Sequence, residues 1–275
     1  MKLTNTQQRD VRFIRALVHG DSGIGKTTSL AALPEDKTLI VALERGLLPL
    51  RKKNFHVLTI DAWQDLRELV RAFHHATIAD DGGVSLTIDG QTIEGLRILA
   101  FDSLTECNQL CKRHIVEVDR PALVIEKAKA KDADSEPTGH VIGTYDEQLT
   151  IPDWGLLASR MEGLVSAINH LPVHTIFTAL STWKEEKQTG SIFRIPALNG
   201  AFAISCPAHF DEVFHMESTQ DNVRRWRTFN DNTHLCKDAS GVLEPFEPAD
   251  WNGIFSKILN GNSPATAPKR KGNKT

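Results

Sequence analysis

The chain has no apolar run approaching the ~18 residues that span a bilayer, and its opening MKLTNTQQRD lacks the apolar centre of a secretory signal. Neither a membrane span nor an export leader is expected, so the reading is a soluble, cytoplasmic protein. Cysteine is scarce: Cys107, Cys111, Cys206 and Cys236 show no CxxC spacing, which argues for reduced, structural thiols. Strong charge of one sign is missing too. A net charge of −3 and a pI near 6.4 leave no overall basic field for nucleic acid, so any contact with DNA has to come from local patches. What is present is ordinary globular composition, 40% hydrophobic and 24% charged, enough for a sizeable core.

No long linker divides the first 260 residues, and we expect one core domain over 1–260 followed by a disordered basic tail, 261–275. Short apolar runs at 13–19, 38–43, 55–60, 97–102 and 173–179 alternate with helical patterns at 26–33, 63–77, 103–117 and 153–170. That alternation predicts an α/β fold with a mainly parallel sheet flanked by helices. Leu66, Leu69, Val70 and Phe73 share one face of the second helix, which therefore covers the sheet, and its two histidines face solvent. Asp-Gly turn signals within 79–95 predict an inserted hairpin, and the polar stretch 127–150 predicts a long mobile loop. After residue 180 the pattern changes to strands without intervening helices, read as antiparallel additions to one edge, before a last helix near 249–259.

Residues 20–28 read GDSGIGKTT and follow the apolar FIRALVH. The spacing is that of a P-loop, GxxxxGK[ST], between a strand and a helix. Glycines 20, 23 and 25 let the backbone curl so that successive N–H groups face the phosphates of a nucleoside triphosphate. The nucleotide-binding set is Gly20, Asp21, Ser22, Gly23, Ile24, Gly25, Lys26, Thr27 and Thr28. In it Lys26 brings an ammonium to the β- and γ-phosphates, and the Thr27 hydroxyl takes one position on Mg²⁺.

Hydrolysis needs an acid at the tip of a strand beside the P-loop strand, and RILAFDSLTE supplies Asp102, with Ser103 capping the following helix. It also needs a group that orients water. Ser103 stands where many such enzymes carry a glutamate, so the candidates are Glu44, closing the strand in TLIVALERG, and Glu106, one helical turn beyond Asp102.

A P-loop ending GKTT, a glutamate closing the next strand and a strand ending Asp-Ser together resemble the RecA-type recombinase ATPases. More closely, the chain is similar to the short RecA-like ATPases that bacteriophages encode for single-strand annealing and recombination. The likeness runs from about residue 12 to 259 and includes IPDWGLLASRM at 151–161, LPVHTIFTALS at 171–181, PALNGAFAISCPAHFDEVFHM at 196–216 and HLCKDASGVL at 234–243. It implies a RecA-like fold, ATP and Mg²⁺ as ligands, Glu44 as the catalytic glutamate and Asp102 as the magnesium aspartate. It further implies Thr178 or Ser181 as a γ-phosphate sensor, and Lys237 as a catalytic lysine reaching a neighbouring subunit's site. The recombinase glutamine has no counterpart at the sensor strand.

The partners implied are single-stranded DNA, other copies of the chain as a homo-oligomer, and a single-strand DNA-binding protein. Candidate DNA contacts are the loop 127–150, with KAKAK, His140 and Tyr145, and the stretch 182–200, with Trp183, Lys184, Lys187, Phe193 and Arg194. Arg224, Arg225, Trp226 and Arg227 form a third cluster, and Lys269, Arg270, Lys271 and Lys274 a basic tail. Two other functions fit a P-loop. A small-molecule kinase needs an arginine-bearing lid, which the loop 127–150 does not offer, and a nucleotide-switched binding module would turn over little ATP.

Overall fold

The runs TLIVA and ILAFD are buried at every position, as strands covered on both faces must be. The computed structural model describes residues 13–44, 46–120, 149–185, 190–231 and 233–260. The strands are β1 (Arg15–Gly20), β2 (Thr38–Ala42), β3 (His56–Thr59), β4 (Thr77–Ile78), β5 (Val84–Ile88), β6 (Gln91–Leu96), β7 (Ile98–Asp102), β8 (His174–Glu185), β9 (Ile192–Pro196), β10 (Glu212–Ser218), β11 (Arg224–Arg227), β12 (Lys237–Asp238) and β13 (Phe246–Pro248). The α-helices are α1 (Lys26–Leu30), α2 (Trp63–His74), α3 (Leu104–His114), α4 (Ile151–Asn169), α5 (Phe202–Ser205) and α6 (Trp251–Asn260).

The main sheet runs β13-β11-β10-β1-β8-β7-β2-β3, with β12 added to β10 and β9 to β8. From β10 to β3 all neighbours are parallel, and β9, β11, β12 and β13 are antiparallel additions. Strand alternation divides the core in two. Leu17, Leu39, Val41, Leu99, Phe101 and Phe177 face α2, α3 and α4. Ala16, Val18, Ile40, Ala100 and Ile176 face the other way, onto Leu30 of α1 and the pair Trp226 and Trp251. The expected fold class therefore stands: a mainly parallel sheet, helices on both faces and antiparallel C-terminal strands. Among the described residues no helix is long and apolar enough to cross a membrane, and all four cysteines are buried and free.

Several details depart from the sequence reading. The helix expected over 26–33 ends at Leu30, and 3₁₀-type bonds close the next turns, Ala31 N to Thr28 O and Leu33 N to Leu30 O. Leu33 precedes Pro34, which disfavours the helical conformation there. The inserted hairpin is part of a three-stranded sheet, β4-β5-β6, and its Asp89-Gly90 turn has φ 49° and 76°, the two positive values of a type I′ hairpin. The segment DEVFHMES, read as an antiparallel edge addition, is β10 and lies parallel beside β1. The reason is that α5 and a 3₁₀ turn at Cys206–His209 interrupt what looked like uninterrupted strands, giving the chain a crossover on which to return in the same direction. Of the loop 127–150 only its last two residues are described; the tail 261–275 lies outside the described residues.

Candidate nucleotide-binding site

In a parallel sheet the carboxyl ends of the strands share one edge, and that edge collects the functional side chains. Gly20, Ala42 and Asp102 end β1, β2 and β7 there. The chain leaves β1 through Gly23 and Gly25, at φ 75° and 110°, values that glycine adopts without a steric cost, and α1 begins at Lys26. Ser22, Gly23, Gly25, Lys26 and Thr27 line a cavity of ≈ 150 Å³ together with Glu44, Pro49, Asp102 and Leu180.

Asp102 was expected on a strand beside β1, but β8 lies between β1 and β7. That strand supplies its support: Thr178 Oγ1 donates to Asp102 Oδ1 at 2.5 Å. On the other side Thr27 Oγ1 donates to Asp102 Oδ2 at 2.7 Å, so the two residues assigned to the metal already converge. The peptide from Asp102 to Ser103 is cis. The Asp102 carbonyl accepts the N–H groups of Leu43 at 2.9 Å and Glu44 at 3.3 Å, which fixes the exit from β2 against the exit from β7. Ser103 Oγ then donates to Glu44 Oε1 at 2.5 Å, besides accepting from Glu106 N at 3.4 Å as the cap of α3. Glu44 is exposed and lines the cavity; Glu106 is not among the lining residues.

Lys26 is only 8% exposed, and its Nζ donates to the carbonyls of Gly20 at 3.0 Å and Asp21 at 2.8 Å. Burial pulls this ammonium below the usual lysine range, while the carboxylates of Asp102, Glu44 and Asp21 pull it back up. Both acids deduced from distant stretches of sequence thus line the same cavity as this lysine. Oxygen donors on Thr27 and Asp102, without nitrogen or sulfur, suit Mg²⁺, which takes one or two protein oxygens and completes its shell with water and phosphate. No group of three or more His, Cys, Asp or Glu side chains that could hold a metal occurs among the described residues.

The remaining expectations divide. Thr178 is fully buried on Asp102, and Ser181 Oγ lies 2.9 Å from His19 Nδ1; the residue of β8 that lines the cavity is Leu180. Lys237 is not brought to the loop of its own chain. It pairs with Val213 near the start of β10, and its Nζ donates to the Phe210 carbonyl at 2.5 Å. The cluster 224–227 is not a continuous basic and aromatic surface. Trp226 is core, stacked on Phe214 at 5.4 Å, while Arg225 and Arg227 both pair with Glu217.

The β8–β9 hairpin does present an aromatic outward. Trp183 is 55% exposed, and Arg194, opposite it on β9, lies 4.3 Å from the ring centroid. The same guanidinium pairs with Asp21 of the P-loop. Sequence reasoning missed this tie, because 173 residues separate the partners and neither belongs to a local pattern that names the other.

Behind the loop stand three imidazoles. His19 of β1 and His215 of β10 have ring centroids 5.0 Å apart, and His215 and His234 4.6 Å apart. Burial drives His19 and His174 each down to about 4 and His215 to about 2. Burial first, and Asp238 second, pushes the Glu212 carboxyl up to about 8. These histidines stay neutral in the fold where an unfolded chain binds protons below 6.5, so stability is lost as pH falls from there toward 4. Glu212 keeps a proton that the unfolded chain releases above 4.5, so its stabilisation is lost as pH rises through about 8. Three histidines outweigh one glutamate on the acid side, and Glu212 acts on the alkaline side. The melting temperature is therefore expected to peak near pH 6.5, and Glu212→Gln to flatten the fall between pH 6.5 and 8. Thermal melts followed by circular dichroism over that range check this; a wild-type melting temperature still rising at pH 8 contradicts it.

A sequence profile of the family described as AAA domain matches residues 12–240. A comparison with curated proteins finds no match. Similar solved structures include the KaiC-like protein PH0186 from the hyperthermophilic archaeon Pyrococcus horikoshii OT3, at 14% identity over 82% of each chain with a TM-score of 0.36. They also include the RadB recombinase, at 13% identity over 78% of this chain and 80% of that one, with a TM-score of 0.37.

Proposed function

The chain belongs to the AAA-domain family, and on that premise we propose that it binds and hydrolyses ATP with Mg²⁺, and acts as a homo-oligomer on single-stranded DNA in recombination or annealing, in the manner of phage-type RecA-like ATPases. The observation that carries the ATPase part is the meeting of Lys26, Thr27, Asp102 and Glu44 around one cavity. Lys26 and the N–H groups of the loop hold the β- and γ-phosphates as charge-assisted hydrogen bonds. Thr27 and Asp102 hold Mg²⁺, which when bound neutralises charge on the phosphate oxygens. Glu44, exposed and held in place by Ser103, accepts a proton from the attacking water. Lys237 serves a neighbour's site in this reading, which requires its ammonium to leave the Phe210 carbonyl.

The DNA part is supported by Trp183 and Arg194, an exposed ring and a cation on one hairpin, since aromatic faces stack on bases of any sequence. ATP turnover measured with and without single-stranded DNA tests the proposal, and stimulation by DNA is the expected result. Trp183→Ala should weaken DNA binding about tenfold, within the 1–3 kcal/mol that one stacked base contributes, with circular dichroism as the control for folding. Turnover that depends on a small-molecule acceptor would indicate a kinase, and negligible turnover a nucleotide-switched module; either result removes the motor.

A further inference from the structure

The hairpin between β10 and β11 lies against the P-loop. Met216 of β10 packs at Gly20, where a methyl group would meet its carbonyl oxygen at 3.0 Å. The chain turns back through residues 220–222, closed by Thr219 N donating to Val223 O at 2.9 Å, with Asn222 at φ 58°. Asparagine tolerates that left-handed position, which ends a three-residue hairpin loop. The turn places Arg224 opposite Ser218.

From there the arginine reaches the loop. A methyl group built on Gly25 would meet Cζ and Nε of Arg224 at 2.6 Å, so the absence of a side chain at residue 25 is what lets the guanidinium lie on the loop backbone. Its neighbours on the strand are spent elsewhere. Arg225 and Arg227 pair with Glu217 and lie over the Phe246 ring, and strand alternation turns Arg224 away from them. Among the described residues Arg224 makes no ion pair and no hydrogen bond. An exposed cation without a counter-charge thus rests on a loop that carries the Lys26 ammonium and whose own carboxylate, Asp21, is paired with Arg194. An anion entering there would be attracted by both cations.

We propose that Arg224 is a phosphate-binding residue of the nucleotide site, supplied from the β10–β11 hairpin of the same chain. The guanidinium, which lies against Gly25 at the rim and is not itself among the residues lining the cavity, donates to oxygens of the triphosphate where it passes Gly25. This rests on the reading of residues 20–28 as a nucleotide site, and the two are tested together. ATP affinity is measured by calorimetric titration for the wild type, Lys26→Ala, Arg224→Ala, Arg224→Lys and Arg225→Ala, each at two salt concentrations.

Arg224→Ala is expected to weaken ATP binding about 10- to 100-fold, the range of a charge-assisted hydrogen bond. It should also flatten the dependence of affinity on salt, because an ion pair is lost. Arg224→Lys should recover part of the loss, since a lysine keeps the charge without the fork, and Arg225→Ala should change little. If the wild type binds ATP, Lys26→Ala does not, and Arg224→Ala binds like the wild type, the role of Arg224 is overturned while the site stands. A weaker Arg224→Ala with an unaltered salt dependence also overturns it, because the contact is then not with phosphate. If the wild type itself fails to bind ATP, both readings fall.

Discussion

Lys26→Ala is expected to lose ATP binding by at least about 100-fold, the sum of two charge-assisted hydrogen bonds of about 1.5–3 kcal/mol each. The size follows from the setting of the side chain. The ammonium is 8% exposed and sits at the mouth of a cavity bounded by Asp102 and Glu44. A triphosphate entering there without Lys26 would set its negative charge against those two carboxylates, leaving Mg²⁺, the loop N–H groups and Arg224 to compensate it. Without nucleotide the lysine holds two backbone carbonyls, Gly20 at 3.0 Å and Asp21 at 2.8 Å, and because the first of these is buried an alanine leaves an unpaired acceptor that costs about 1–3 kcal/mol. The melting temperature of the apo protein should therefore fall modestly while a cooperative transition is kept, which separates a lost ligand from a lost fold. Titration with ATP and Mg²⁺ reads the affinity. A variant that binds within tenfold of the wild type would show that the ammonium does not touch the phosphates.

The sequence made the two halves of this site legible for different reasons. Residues 20–28 are a local pattern, and the backbone that cradles an anion is determined by neighbours in sequence. Asp102 and Glu44 were legible because each closes an apolar run, and strand ends of a parallel sheet share one edge. What local patterns do not carry is the order of strands. Nothing within ILAFD or HTIFT states that β8 enters between β1 and β7, so the buried contact by which Thr178, one of the two residues the resemblance implies as a γ-phosphate sensor, supports Asp102 is not legible in either stretch. The same holds for RRWR, which reads as a basic and aromatic patch. Burial of Trp226 against Phe214 and Trp251 and pairing of two arginines with Glu217 depend on β10 and α6, which no four-residue pattern contains.

Glu44→Gln is expected to keep ATP binding and to lower turnover by about 10²-fold or more, the range by which a positioned general base accelerates a reaction. The amide keeps the shape of the carboxyl and still accepts from Ser103 Oγ, now 2.5 Å from Glu44 Oε1, so the exit from β2 stays in place. It removes one negative charge from the surroundings of Lys26, to which Glu44 contributes, and so the affinity for a polyanion should hold or rise slightly. Retained binding with lost turnover marks a group acting in the transition state and not in the ground state. Glu106→Gln is the companion variant, because Glu106 follows the same cap residue, Ser103, but does not line the cavity; its turnover should match the wild type. Single-turnover hydrolysis with enzyme in excess over ATP separates the chemical step from product release. If Glu44→Gln hydrolyses at the wild-type rate while Glu106→Gln does not, the water is activated from α3, and the pairing of Glu44 with Ser103 is only a brace between two strand ends.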